Sequence, residues 1–103
     1  MKYVMFKDGA GGRHPVLFSD HLVHNLVADG VRHAYGMEGQ DMAPISAGFY
    51  SEEKMRTSGK SESMGMASMA HDAAYIVMGS AVAYMPPEVA VRLMQEFNRR
   101  YRT

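Results

Sequence analysis

Hydrophobic and polar positions along the chain follow two different periods, and the changes between them mark out its elements. Residues 2–7 alternate, yet both sets are apolar, with Val4 and Phe6 on one face and Tyr3 and Met5 on the other. A strand of this kind needs cover on both sides, which predicts a central or well-covered place in a sheet. Residues 8–13, DGAGGR, form a glycine-rich turn that reverses the chain into a second strand at residues 14–18, so a β-hairpin opens the fold. Pro15 has no N–H to give a ladder, which predicts that its nitrogen faces away from a partner strand.

Residues 16–30, VLFSDHLVHNLVADG, carry the densest local signals. Ser19 is a good N-cap, Asp20 puts an acid in the first turn, and Phe18 and Val23 are spaced as a hydrophobic staple. Gly30 offers a left-handed stop. On the helix so predicted, Leu22, Val23, Leu26 and Val27 make one apolar stripe, while His21, His24, Asn25 and Ala28 fall on the other side. His21 and His24 then lie one turn apart on the solvent face.

Beyond this helix, residues 31–35 read as a short extended piece and residues 36–44 as a loop. Ile45, Ala47 and Phe49 alternate with Ser46, Gly48 and Tyr50 as a third strand. A weak fourth strand is expected within residues 55–66, interrupted by Ser58, Gly59, Ser61, Ser63 and Gly65. Ser68 is placed to cap a second helix over residues 69–79, with Asp72 in its first turn. Ala73, Ala74, Tyr75, Ile76, Val77 and Met78 make that helix apolar nearly all round, which argues for burial on more than one side, including against another subunit. After a soft join at residues 79–85, Pro86 and Pro87 announce a last helix to about Tyr101. Its stripe is Val89, Ala90, Leu93, Met94, Phe97 and Tyr101. Beside it, Glu88, Arg92, Glu96 and Arg100 form a ladder worth only about 0.2–0.5 kcal/mol per pair, so the stripe must hold the helix.

The order ββαββαα predicts an α+β fold: an antiparallel sheet of about four strands with helices packed on one face. The 103 residues make one domain, with an α+β core at 1–80 and a C-terminal amphipathic helix at 81–103. An apolar fraction of 47% with 21% charged residues is that of a folded globular chain.

Charge narrows the partners, since 11 basic and 11 acidic residues leave no global field toward nucleic acid or anionic lipid. The absence of cysteine excludes disulfides, thiolate metal sites and a cysteine nucleophile, and suits a reducing cytosol. The opening MKYVMF lacks a signal-peptide cleavage pattern, and the weakly polar run at 73–85 is broken by Gly79 and Ser80 and too short to span a bilayer of about 30 Å. A soluble, cytoplasmic protein is expected. The 11 methionines read first as flexible fillers of an irregular core and second as an adaptable binding surface.

Four candidate chemistries follow from side-chain type. The glycines of residues 8–13 invite a phosphate-loop reading, but such a loop should lead into a helix and here a strand intervenes. His21 and His24 are candidate ligands for Zn, Ni or Cu, needing a third from His14, His33, His71, Asp29 or Asp72. His71 and Asp72 near Ser61 and Ser63 suggest a nucleophile, base and orienter, although neighbours on a helix point about 100° apart. Arg99, Arg100 and Arg102 around Tyr101 have the makings of a phosphate and base contact, and equally of a cationic helix C-terminus.

The opening MKYVMF, PVLF followed by SDHLVH, SAGF at residues 46–49, the set Gly59, Ser61, Glu62, Ser63 and Gly65, and the run Asp72, Ala73, Ala74 together resemble small uncharacterised proteins of bacteriophages and prophages. The resemblance covers about the first three-quarters of the chain. It implies a bacterial cytosol and an accessory role, and it carries no activity or site residue.

The expected function is therefore a small non-enzymatic protein-interaction module that self-associates, with Tyr75, Met78, Leu93, Phe97 and Tyr101 as its contact residues and no cofactor. The partner is a second copy and then another protein, with no membrane. The alternatives are a metal-binding protein or metal-dependent hydrolase using His21 and His24, and a nucleic-acid binder using Arg99, Arg100 and Arg102.

Overall fold

The strand with two apolar faces is buried on both, and it is the middle strand of the sheet. Tyr3, Val4, Met5 and Phe6 are all fully inaccessible to solvent. The computed structural model describes residues 1–78 and 83–84. In chain order its elements are β1 (Lys2–Asp8), β2 (Arg13–Phe18), α1 (His24–Met37), β3 (Met42–Ser51), β4 (Arg56–Ser58), β5 (Lys60–Ser61), β6 (Met66–Ala67), α2 (Asp72–Met78) and β7 (Ala83–Tyr84). The main sheet runs β4-β3-β1-β2-β7, antiparallel except for the short parallel pair of β2 with β7. β5 and β6 form a separate two-stranded hairpin.

The fold is α+β, with one change from expectation: the two helices cover opposite faces of the sheet. Val4 and Phe6 pack with Val16, Phe18, Leu22, Val27, Ala28 and Met42 beneath α1. Tyr3 and Met5 pack with Leu17, Tyr50 and Ile76 beneath α2. A strand apolar on both sides needs two covers, and each helix supplies one. The methionines divide between the two roles: Met5 and Met42 are buried, while Met37, Met55 and Met69 are exposed.

α1 starts and stops later than its local signals predict. Ser19 does not cap it. Its Oγ accepts from the His21 N–H at 3.2 Å and its carbonyl accepts from the Leu22 N–H at 3.1 Å, closing a turn that delivers Leu22 into the core. The N-cap position is Val23, extended and without a side-chain cap. A hydroxyl from far along the chain serves instead: Ser63 Oγ accepts from the Asn25 N–H at 3.3 Å. Gly30 lies inside the helix, because the buried Val27 and the partly buried Val31 and Tyr35 continue one core-facing stripe at i, i+4 and i+8. That stripe outweighs the cost of about 1 kcal/mol for an interior glycine. Residues 31–35 are accordingly helical, not extended.

The true stop is Gly39, at φ +76°. Its N–H bonds the Gly36 carbonyl at 3.0 Å and the Gln40 N–H bonds the Tyr35 carbonyl at 2.9 Å, the pair of bonds of a Schellman motif. Two glycines three residues apart should therefore respond with opposite sign. Gly36 is helical with open space where a Cβ would go, so Gly36→Ala should stabilise by about 0.5–1 kcal/mol. Gly39→Ala should destabilise by about 1–2 kcal/mol, since an alanine pays the left-handed strain. Urea unfolding followed by far-UV circular dichroism reads both.

The serine- and glycine-rich stretch after β3 does not make one strand. Gly59 at φ +75° and Gly65 at φ +65° turn the chain, so that β4 pairs with the end of β3 and the β5–β6 hairpin folds back. The approach is close at Gly48, where a Cβ would stand 2.6 Å from the Ser58 carbonyl oxygen. Met64 and Met66 of the hairpin pack partly into the α1-side core. Residues 83–84, expected as part of a soft join, pair with Val16 and Leu17 as β7. The predicted helix at 86–101, with its stripe and ladder, lies outside the described residues. Among those described, no helix is long and apolar enough to cross a membrane.

Candidate functional site

An acid at the head of an apolar helix ordinarily serves the helix dipole from the surface. Asp72 does not: it is fully buried, and its Oδ2 collects three hydrogen bonds. Tyr3 donates its phenolic O–H at 2.5 Å, Ser46 its hydroxyl at 2.8 Å, and Met69 its backbone N–H at 2.9 Å. Tyr3 and Ser46 are themselves inaccessible to solvent. Burial, reinforced by the hydrogen bond to Asp72 and its charge, raises the Tyr3 phenol far above its ordinary value, so it remains a donor. Asp72 Oδ1 has no hydrogen-bond partner. The cluster joins β1, β3 and the start of α2, and with its three side chains enclosed it acts as a clasp between helix and sheet. A shallow pocket of about 360 Å³, lined by Arg56, Thr57, Ser68, Met69, Ala70 and Ala73, lies next to it.

This arrangement separates the residues of the serine-nucleophile expectation. Asp72 faces Tyr3 and Ser46, and His71 is exposed. Ser61 is buried in its own turn, where its Oγ accepts from the Met64 N–H at 3.2 Å and lies 3.2 Å from Ser63 Oγ.

The histidine pair is separated too. Because α1 begins only at residue 24, His21 stays in the preceding turn, exposed, while His24, together with Ala28, lies on the inward side with Val27 and is 4% exposed. The His24 Nε2–H donates to the Gly48 carbonyl at 2.9 Å, which fixes the tautomer of the neutral ring. Phe18 and Phe49 flank it in T-shaped contacts at 5.4 and 5.7 Å. Burial lowers its pKa below 6.5, with Lys2 adding to the fall and the Gly48 bond opposing it. Of the proposed third ligands, His14 lies 2.7 Å from the Asp8 carboxylate, Asp72 is enclosed in its clasp, and Asp29 and His33 line a surface pocket of about 260 Å³ with Arg32 and Asp41. Among the described residues no group of three or more His, Asp or Glu is placed to hold a metal ion.

The glycine-rich turn also has its own anion. Asp8 Oδ1 accepts from the Ala10 and Gly12 N–H groups at 2.9 and 2.7 Å, occupying two of the amides that a phosphate would use. The His14 bond, helped by the backbone bonds, holds the Asp8 carboxyl below the usual range.

On the surface, α2 and its lead-in present Met69, Tyr75 and Val77 at 46%, 40% and 45% exposure. The Arg13 guanidinium lies 5.2 Å from the Tyr75 ring centroid in a cation–π contact. The side chain of Met78, together with Leu93, Phe97, Tyr101, Arg99, Arg100 and Arg102, lies outside the described residues. No family model, curated protein or solved structure matches the chain.

Proposed function

We propose that this chain is a small non-enzymatic interaction protein of the phage accessory type, which self-associates through the exposed apolar side chains of α2 and the turn that leads into it. The observation that carries the reading is a contrast of placement. Asp72, Ser46, His24 and Ser61 are buried and hydrogen-bonded within the fold, while the apolar side chains of Met69, in the turn before α2, and of Tyr75 and Val77, on either side of the buried Ile76 in α2, stand open to solvent. An exposed tyrosine with a fixed cation beside it is a typical anchor for a protein contact. A second copy is the favoured occupant, because a formal net charge of +0 sets no repulsion against self-association and a two-fold contact places the same patch on both sides.

Sedimentation over a micromolar concentration series tests this. Self-association should appear by high micromolar concentration, and Tyr75→Glu combined with Val77→Glu should weaken it by on the order of 100-fold or more, as burial of two charges in an apolar contact requires. Both side chains are open to solvent, so the far-UV spectrum should not change. A monomer throughout the series, or an oligomer indifferent to the double substitution, would sink the proposal.

A further inference from the structure

Three contacts converge where α1 begins. His24 donates to the carbonyl of Gly48 on β3, Asn25 donates its N–H to Ser63 of the β5–β6 hairpin, and Gly48 sits against the root of that hairpin, close to the Ser58 and Gly59 carbonyls. The Ser68 N–H closes the same region onto the Gly59 carbonyl at 3.0 Å. Helix start, hairpin and strand thus meet beside one enclosed imidazole, which holds the strand while its neighbour Asn25 holds the hairpin.

Apart from the Gly48 carbonyl, which favours a proton on the ring, the surroundings suit the neutral form. β1 contributes Lys2, whose ammonium donates to the Leu22 carbonyl at 2.8 Å and opposes a second cation. Phe18 on β2 and Gly48 and Phe49 on β3 bring no charge. On α1 the immediate neighbour is Asn25, and the free N–H groups of the first turn carry the positive end of the helix dipole. Glu62, in the hairpin turn, is exposed, and Asp20 is paired with the terminal ammonium at 3.2 Å. No carboxylate is hydrogen-bonded to the ring among the described residues.

We propose that His24 is an acid-sensitive latch: on taking a proton it releases the first turn of α1 and the β5–β6 hairpin from β3 together, while the sheet face beneath α2 stays packed. Release uncovers Phe18, which is 4% exposed, beside Phe49, which is already 40% exposed, and so enlarges an apolar surface at low pH that is separate from the α2 face. The α2 face holds because its core of Tyr3, Met5, Leu17, Tyr50 and Ile76 and its Asp72 clasp contain no histidine.

The direction with pH is fixed by linkage. The open segment exposes His24 with its ordinary value of 6.5, whereas the closed one binds the proton only at lower pH. Closing is unaffected above about pH 6.5 and weakens as the pH falls from there through the lowered value, by at most about tenfold per pH unit.

Amide hydrogen exchange of the full chain by NMR between pH 7.5 and 5, corrected for intrinsic rates, tests the latch. The amides of residues 25–28 and 61–66 should lose protection together, by up to about tenfold per unit below pH 6.5, while those of β1 and α2 hold theirs. His24→Gln keeps an N–H for the Gly48 carbonyl and cannot titrate, so its exchange should be flat with pH. The titration of the His24 ring in the unaltered protein, which needs no variant, should have its midpoint below 6.5. A midpoint at or above that value, an acid response retained in His24→Gln, or β1 amides following the same pH course would each overturn the proposal.

Discussion

Replacing Asp72 with alanine is expected to lower the unfolding free energy by about 3–5 kcal/mol, among the largest single effects in the chain. The reason lies in what is left behind. Tyr3 and Ser46 are wholly enclosed, so their hydroxyls would lose their acceptor with no water to replace it, at about 1–3 kcal/mol for each stranded donor. The Met69 N–H belongs to an exposed residue and can hydrate, so it adds little. Removing a donor instead leaves the carboxylate with its other two bonds: Tyr3→Phe and Ser46→Ala should each cost only about 1–2 kcal/mol. Asp72→Asn keeps an acceptor for the hydroxyls and should fall between. Because the three side chains share one oxygen, the combination of Tyr3→Phe with Asp72→Ala should cost less than the sum of the two. With no tryptophan and six tyrosines in the chain, urea midpoints from far-UV circular dichroism are the suitable readout. A cost below about 1 kcal/mol for Asp72→Ala would mean that water already reaches the cluster and that it is no clasp.

The sheet was legible in the sequence for a simple reason: a period of two survives any error in the placement of its neighbours. Val4 with Phe6 and Tyr3 with Met5 announce two buried faces, and β1 is central. Helix boundaries are less robust, because the same residue types satisfy more than one local structure. Ser19 and Asp20 have the chemistry of a helix start and are used in a turn, while the hydroxyl that does serve the first turn of α1 comes from Ser63, 38 residues from Asn25. Gly30 and Gly39 are alike as stop signals; Val31 and Tyr35, packed against the core between them, decide for the second.

The buried polar residues were the least legible part. With Leu22 and Val23 outside the helix, the buried side of α1 is the one shared by His24, Val27 and Ala28, so a boundary error of four residues put His24 and Ala28 on the wrong face. Asp72 reads locally as an acid for a helix dipole. Its burial is set by Tyr3, 69 residues away, and the available signal was a tyrosine in a strand with no polar face together with an acid heading an apolar helix.

Phe6→Ala should cost about 3–5 kcal/mol, and the side of the sheet on which the cost falls tests the two-faced core directly. Phe6 is fully buried beneath α1 with Val4, Val16 and Val27, at the point where the β1–β3 pairing shifts register between Met5 and Phe6. The irregularity places Phe6 opposite Pro44, which lacks an N–H for the ladder, so this part of the pairing relies on side-chain packing more than on backbone bonds. Removing the ring leaves a void bounded by both sheet and helix, and neither can close it without breaking its own hydrogen bonds. Phe6→Leu, which fills most of the space, should cost clearly less. Met5→Ala, one residue away, opens a cavity on the α2 face instead and should cost about 2–5 kcal/mol. In hydrogen exchange, Phe6→Ala should lower protection in α1 beyond its effect on α2, and Met5→Ala should do the reverse. The same pattern from both substitutions would mean that the faces do not pack independently, and that β1 transmits strain across the sheet where its sequence divides it.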